Sequence, residues 1–491
     1  MGGVSSMNIQ RKKEPMRIPI FLLTLSLILT ACASPATELS QTAPSLETEP
    51  TVVPVKPTAV PTEAVSKATF ADSLLVVEWQ GGAKGNLLFP LDPATGTALP
   101  DYEPIPFGQS YSSAFSPDRR TLAAVTFLND QATNGNLLLI DLKTWKTQRF
   151  ELKLHGWVTA MAFSPDGGRL AIAHGDSINK LAIFDLQQGT IIAQEPTDSI
   201  VTRLKFTASG ESLMLYMINN NFTENGMSGG PPQVLLLDAP DLSPRWSVEL
   251  EGVRDGIFAK DEKTTPDLSQ PGTVMYLSPA VVFAPEQDTL YVAHADSDQL
   301  TIVDFDAQNV ETLEIQTELS WFERLLSLTA GVAHAKVADG TSKQAVVSPD
   351  GQFLYVVGMR SESVQSKNGN WNMNQIPLGL EIIRAGDGAR VERFETEAAY
   401  LSISTDGRFL YLGNWTENAP WTEIFDASTR QIITRKEGIY ASPALRVNGE
   451  PLLVSTYSAS EFSHRMSVFQ PDGSQALSEW TGSGYVAWLT P

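Results

Sequence analysis

The sequence predicts an all-β chain built from eight small antiparallel sheets of four strands, set in a ring and closed by the C-terminal strand; a ring of seven is the alternative. Three observations carry this. A phrase of two apolar runs around a tight turn recurs along residues 70–491, and self-similarity at a fixed period marks a repeat architecture. The runs after each turn are continuously apolar, as in strands buried on both faces. The first unit lacks its opening strand, while a spare one, Tyr485 to Leu489, trails after the last.

The clearest copy runs from Ala160 to Gln187. An apolar run (Ala160 to Phe163) meets Ser164-Pro165-Asp166-Gly167, then a second run (Leu170 to Ala173) and a third (Leu181 to Phe184) that stops at Asp185. With the strands of each unit labelled a to d, the a-to-b turns read SPDR (116–119), SPDG (164–167), TASG (207–210), APEQ (284–287), SPDG (348–351), STDG (404–407) and VNG (447–449). Proline presets φ for a type I turn, Asp or Asn bonds its own backbone, and glycine accepts the positive φ on re-entry. Arg119 and Gln287 replace that glycine, so those two turns are expected to be looser.

The b strands follow as TLAAVTF, RLAIAHG, SLMLYMI, TLYVAHA, FLYVVGM, FLYLGNW and PLLVSTY. Strand c ends in Asp at Asp141, Asp185, Asp238, Asp304 and Asp426, where the chain turns into d. Turn-forming side-chain bonds account for such residues better than acid catalysis does. In the first unit Leu74 to Trp79 reads as b and Asn86 to Leu91 as c. Pairing the trailing strand there leaves no free sheet edge.

These phrases, above all Leu290 to His294 (LYVAH) and Phe353 to Gly358 (FLYVVG) beside SPDG and a terminal Asp, resemble the β-propeller repeats of the YVTN and WD40-like families, the first more closely. The resemblance covers most of residues 70–491 and implies a propeller. It leaves function open between binding modules, lactonases and quinone-linked dehydrogenases.

The N-terminus speaks of location. Arg11, Lys12, Lys13 and Arg17 precede an apolar run of 12 residues, Ile18 to Leu29; that is too short to span a bilayer and fits a secretory signal. Leu29-Thr30-Ala31-Cys32 resembles the bacterial lipobox, which implies cleavage before Cys32 and a diacylglyceryl group on its sulfur. Cys32 is the single cysteine of the 491 residues, so no internal disulfide competes for it. Residues 1–31 are therefore expected to be a lipoprotein signal peptide and 69–491 the propeller. Between them, residues 32–68 are rich in Pro, Thr, Ser, Glu and Ala and form a disordered stalk with a reach on the order of 100 Å at ~3.1 Å per residue. The expected location is the outer side of a bacterial membrane, held there through the Cys32 lipid only.

Lys and Arg number 35 against 56 Asp and Glu, net −21; removing residues 1–31 takes away four cations and one anion and leaves −24. Such a field repels nucleic acid and keeps an exposed body soluble and monomeric. No cofactor is expected. A P-loop and H-E-x-x-H are absent, as is any cysteine for haem attachment. His174 and His294 sit in matching contexts, HGDS and HADS. One histidine and one aspartate per unit fall short of a metal site, and local turn chemistry explains the repetition better.

Loop length is what varies. The a-to-b and c-to-d turns stay short, whereas 217–232, 252–277, 316–344, 360–379 and 412–421 are enlarged. All are b-to-c or d-to-a connections, which lie at one end of an antiparallel blade, so they belong to one face and to about half the ring. Connection 316–344 also holds a predicted helix with a Ser320 to Glu323 capping box. Aromatic rings beside amides suit a carbohydrate, peptide or protein ligand. The candidate binding residues are Phe222, Trp371, Asn372, Asn374, Trp415 and Trp421, set against the alternative that the tryptophans pin loops to the body. An enzyme of lactonase or dehydrogenase type is the competing expectation.

Overall fold

The computed structural model describes residues 68–491 other than 80–84, 109, 128–132, 176–178, 224–225, 260–273, 316–339, 366–370, 415–419, 461–462, 484–485 and 489–491. The expected signal peptide, Cys32, the expected stalk through residue 67, the helix predicted at 320–323 and Trp415 lie outside the described residues.

Eight antiparallel four-stranded sheets follow one another along the chain. Blade 3, the clearest copy, has strands a to d at Trp157–Phe163, Arg169–Gly175, Asn179–Asp185 and Thr190–Thr197. Blade 1 is assembled from both chain ends: b (Leu74–Trp79) pairs with c (Asn86–Asp92) on one side and with Val486–Trp488 on the other. The a strands of successive blades approach one another around the ring centre, so each blade's a strand is its inner edge. The ring is an eight-bladed β-propeller, closed by its C-terminal strand.

The continuous apolar runs are buried on both faces because each blade is covered by a neighbour on either side. Between blades 2 and 3, for example, Ala123, Val125 and Leu137 pack with Leu170, Ile172 and Phe184. The other faces of those same blade 3 strands, Ala171, Ala173, Leu181 and Ile183, pack with Leu213, Leu215 and Met217 of blade 4.

The turns bear out their chemistry. In blade 3 the Ser164 hydroxyl donates to Asp166 Oδ1 (2.6 Å), which accepts from the Gly168 amide, while Arg169 N–H donates back to Ser164 Oγ. Blades 6 and 7 repeat this through Ser348–Asp350 and Ser404–Asp406. The hydroxyl bonds from Ser164 and Ser348, then the backbone amides, hold Asp166 and Asp350 below the usual carboxylate range. Strand-ending aspartates act as Asx residues: Asp141 accepts from the Lys143 and Thr144 amides, Asp185 from Gln188, Asp304 from Ala307, and Asp426 from Ser428 and Thr429.

One expected looseness is absent. Arg119 takes φ +58° itself, keeps its N–H on Ser116 O at 2.8 Å, and the Ser116–Asp118 bonds match those of blade 3. A left-handed residue with a Cβ is disfavoured by about 1–2 kcal/mol, which the intact bond set offsets. The APEQ turn does differ. Lacking a Ser and Asp pair, it is held from outside by blade 4, whose Lys205 Nζ donates to the carbonyls of Ala284, Pro285 and Gln287. Asp288 in turn accepts from the Ala208 amide.

Successive turns also interlock. A Cβ on Gly210 would lie 3.2 Å from Pro165 Cδ of the previous blade, at φ +73°; Gly407 stands against Pro349 in the same way. Gly210→Ala is therefore expected to lower stability by about 1–2 kcal/mol, read as a lower denaturant midpoint at unchanged slope. An unchanged midpoint would remove the interlock from the account.

Candidate binding face and the pocket between blades 5 and 6

Because each blade runs antiparallel from a to d, all b-to-c and d-to-a connections emerge on one face of the ring. Three built elements rise there. In blade 4, between strands b (Ser212–Ile218) and c (Gln233–Asp238), Asn220–Thr223 pairs with Gly226–Gly229 in a hairpin. Between blades 4 and 5 a second hairpin pairs Gly256–Ala259 with Val274–Ser278. The two hairpins touch: Gly230 bridges to Asp255, and a Cβ on Gly229 would meet the Phe258 ring at 2.6 Å.

The second hairpin does more than cap a loop. Tyr276–Ser278 pairs in parallel with Gly340–Ser342, the start of strand a of blade 6 (Gly340–Val347). Strand b of that blade occupies its other side, so the hairpin lies toward the ring centre and widens the sheet to six strands. Gly340 permits the approach, since a Cβ there would stand 2.9 Å from Tyr276 O. Connection 316–344 thus ends at residue 339 rather than 344.

The third element corrects the expected loop at 360–379. Strands b (Phe353–Gln365) and c (Trp371–Arg384) of blade 6 run on as paired arms to Gln365↔Trp371. At 412–421 the strands likewise continue, to Asn414 and from Trp421.

The candidate residues divide. Phe222 sits opposite Met227 in the blade 4 hairpin, and Trp371 and Asn372 at the tip of the blade 6 arms, with Asn374 exposed two residues on. Trp421 is only 4% exposed; it packs in the blade 6–7 core with Arg435 over its ring at 4.3 Å. His174 and His294 are buried in different blades, bonded to Gln194 and Thr301 respectively. Burial first holds the His294 imidazole below its usual range. Among the described residues no three His, Cys, Asp or Glu side chains stand where they could share a metal ion.

Two charged groupings were not anticipated. At the root of the second hairpin, Tyr216 Oη donates to Asp255 Oδ2 at 2.8 Å. Burial raises the Asp255 carboxyl to about 6, against the opposing effects of that bond and of Arg203. The other lies between blades 5 and 6, where a cavity of about 90 Å³ is lined by Asp298, Lys343, Glu381 and Arg393 over Val356, Val357, Gly358, Leu378 and Gly379. A bulge opens it: Gly358 alone faces Leu378 and Gly379, between the pairs Val357↔Leu380 and Met359↔Pro377. Side chains could not replace these glycines, since a Cβ would fall 3.0 Å from Lys343 Cγ at Gly358 and 2.6 Å from Phe394 O at Gly379. Such bulges re-aim strands beside functional sites.

Within the cavity lining the acids are already engaged. Arg390 Nη2 lies 2.9 Å from Glu381 Oε1 and 3.6 Å from Asp298 Oδ2. Lys343 Nζ donates to Ser297 O at 3.2 Å and, among the described residues, has no carboxylate within 4 Å. Burial holds its ammonium below the ordinary lysine range, opposed by Glu381, Asp298 and Asp296. The signal for this site in the sequence was one lysine inside strand GTSKQAVV; only the fold brings it against HADSD of the preceding blade.

No family model matches the chain, and no curated protein sequence matches it. Among solved structures it is similar to the dihydro-heme d1 dehydrogenase NirN in complex with DHE, at TM-score 0.52 and 12% identity over 87% of this chain and 77% of that one. A Myceliophteria thermophila Cps50 (Swd1) β-propeller domain aligns at TM-score 0.40 and 13% identity, over 72% of this chain and 93% of that one. At 12% identity the likeness to NirN is one of fold alone.

Proposed function

We propose that this protein is a ligand-binding or scaffold module of the bacterial cell envelope, tethered through a lipid on Cys32 and a Pro/Thr-rich stalk, and that it takes its ligand on the long-loop face. The observation that carries the reading is the joining of two separate insertions, from blade 4 and from the 4-to-5 connection, onto the sheet of blade 6. Loops that merely tolerate length do not pack on one another in register; these make one continuous surface over blades 4 to 6. Phe222, Trp371, Asn372 and Asn374 belong to its connections, Trp415 to the b-to-c connection of the next blade, and rings beside amides favour a carbohydrate, peptide or protein surface.

The test uses the full chain on arrays of envelope glycans and extended peptides, with the double substitution N372A/N374A against the opposite-face control Asn448→Ala. The loop-face variant is expected to lose roughly tenfold or more in affinity while the control binds normally. Equal binding by both would overturn the reading. The tether is tested by Cys32→Ser, which is expected to move the protein from the membrane to the soluble fraction; retention on the membrane would sink the lipid anchor.

A further inference from the structure

We infer that the cavity between blades 5 and 6 is a binding site for a carboxylate carried on a short apolar chain, held by Lys343 and Arg393. This rests on the loop face being the binding face, since Asp298 belongs to the b-to-c connection of blade 5. The argument is one of hydrogen-bond donors left over. Four charged side chains line the cavity, but Arg390, from beside it, engages both Glu381 and Asp298. The two cations are left with donors to spare: Lys343 gives one hydrogen bond, to Ser297 O, and Arg393 gives Nη2 to Leu378 O at 3.1 Å, with Glu395 3.9 Å from its Nε. A half-buried ammonium with two open donors is costly to leave uncompensated. An entering anion supplies the missing partner.

The remaining walls select among anions. Val356, Val357 and Leu378 are apolar, and the backbones of Gly358 and Gly379 complete the wall. A chain of a few carbons matches these walls within the cavity of about 90 Å³, whereas a phosphate or sulfate would leave them unmatched. Arg393 contributes planar donors that suit a carboxylate's two oxygens. The protein as a whole is acidic, at net −21, so the long-range field opposes an entering anion and recognition is local. The carboxylate can come from a free short acid or from the C-terminus of an extended peptide; both present the same group.

Calorimetric titration of the full chain in detergent distinguishes the sources. The probes are propionate and butyrate, a tripeptide with a free C-terminus, the same tripeptide amidated, and propylamine as a cation control. Binding by the short acids, or by the free but not the amidated tripeptide, is expected, with a loss of roughly tenfold or more in Lys343→Met and in Arg393→Gln. Lys343→Met is expected to melt no lower than the parent, because it removes a buried charge; should it fail to fold, Arg393→Gln carries the comparison. Absence of any carboxylate binding up to about 20 mM, or affinities within twofold of the parent in the folded variants, overturns the site. The array experiment is independent of this one: N372A/N374A can lose its ligand while the cavity proves empty of function, and the reverse.

Discussion

Truncation of the chain after residue 483 is expected to lower stability by about 4 kcal/mol or more and to make the protein associate. The missing strand, Val486–Trp488, is the inner edge of blade 1, where Val486, Ala487 and Trp488 pair with Glu78, Val77 and Val76. Its removal uncovers backbone donors and acceptors along a strand whose Leu74, Leu75, Val76 and Val77 are at most 2% exposed. Each buried aliphatic residue that gains water loses about 1.5–3 kcal/mol, and an uncovered apolar edge is a template for pairing with another chain. The loss is not total, because a second latch holds blade 1. Blade 8's turn reaches back to it, with the Val447 amide donating to Ser73 O and the Asn448 amide to Ala71 O. The truncated chain should therefore remain folded at low temperature, melt earlier, and elute larger in size-exclusion chromatography. A monomer with the parent's melting temperature would show that closure rests on blade 8 alone.

That dual closure illustrates what could be read from residues and what could not. The spare strand at the C-terminus and the missing one in the first unit were both visible as local patterns, so the ring and its eight blades followed. The turns were legible for the same reason: Ser164, Asp166 and Gly167 bond within five residues of one another, and local chemistry is written locally. Arg119 marks the limit. A residue can adopt φ +58° when the bonds around it are otherwise complete, and composition alone reads its missing glycine as a loss. The APEQ turn was read as loose, yet it is held by Lys205, 79 residues earlier than the nearest carbonyl it binds.

The binding face was legible in outline, through loop length and blade topology, and illegible in its structure. Residues 360–379 look irregular because their outward and inward neighbours are both polar, but the arms to Gln365 and Trp371 are strands paired with each other rather than with a core. The parallel pairing of Tyr276 with Gly340 joins segments 64 residues apart, and no local signal sets such a register. The cavity was missed for the same cause: Glu381 stands between Leu380 and Ile382, and Lys343 between Ser342 and Gln344, as on any half-exposed strand, and only a neighbouring blade turns them inward. Trp421 was chosen by residue type, and its place in the core under Arg435 belongs to packing that type alone does not reveal.

Asp255→Asn is expected to stabilise the protein at pH 7.5 and to remove part of its pH dependence. The carboxyl is raised to about 6 in the folded chain, first by burial, and only partly relieved by the Tyr216 hydroxyl and by Arg203; Tyr276, close enough to feel its charge, carries no compensating one at this pH. Unfolded, an aspartate titrates near 3.9. Between these values the folded state binds the additional proton, so ionisation at higher pH works against folding. Above about pH 6 the full penalty applies, roughly 3 kcal/mol, and it fades as pH falls toward about 4. The Asx carboxylates act oppositely. Asp166 and Asp350 are held low by their serine hydroxyls and then their amides, so the stability they contribute is present above about pH 4 and lost below it. The parent should therefore be most stable in mildly acid solution. Asparagine keeps an oxygen that accepts from Tyr216 Oη while removing the buried charge, so the variant should melt about 3 °C higher at pH 7.5 and converge on the parent near pH 4.5. Since Asp255 also bridges to Gly230 at the meeting of the two hairpins, hydrogen exchange of the Gly256–Ala259 amides should slow in the variant at neutral pH and match the parent in acid. Equal melting at both pH values would mean that water reaches the Asp255 carboxyl and that the hairpin root carries no charge burden.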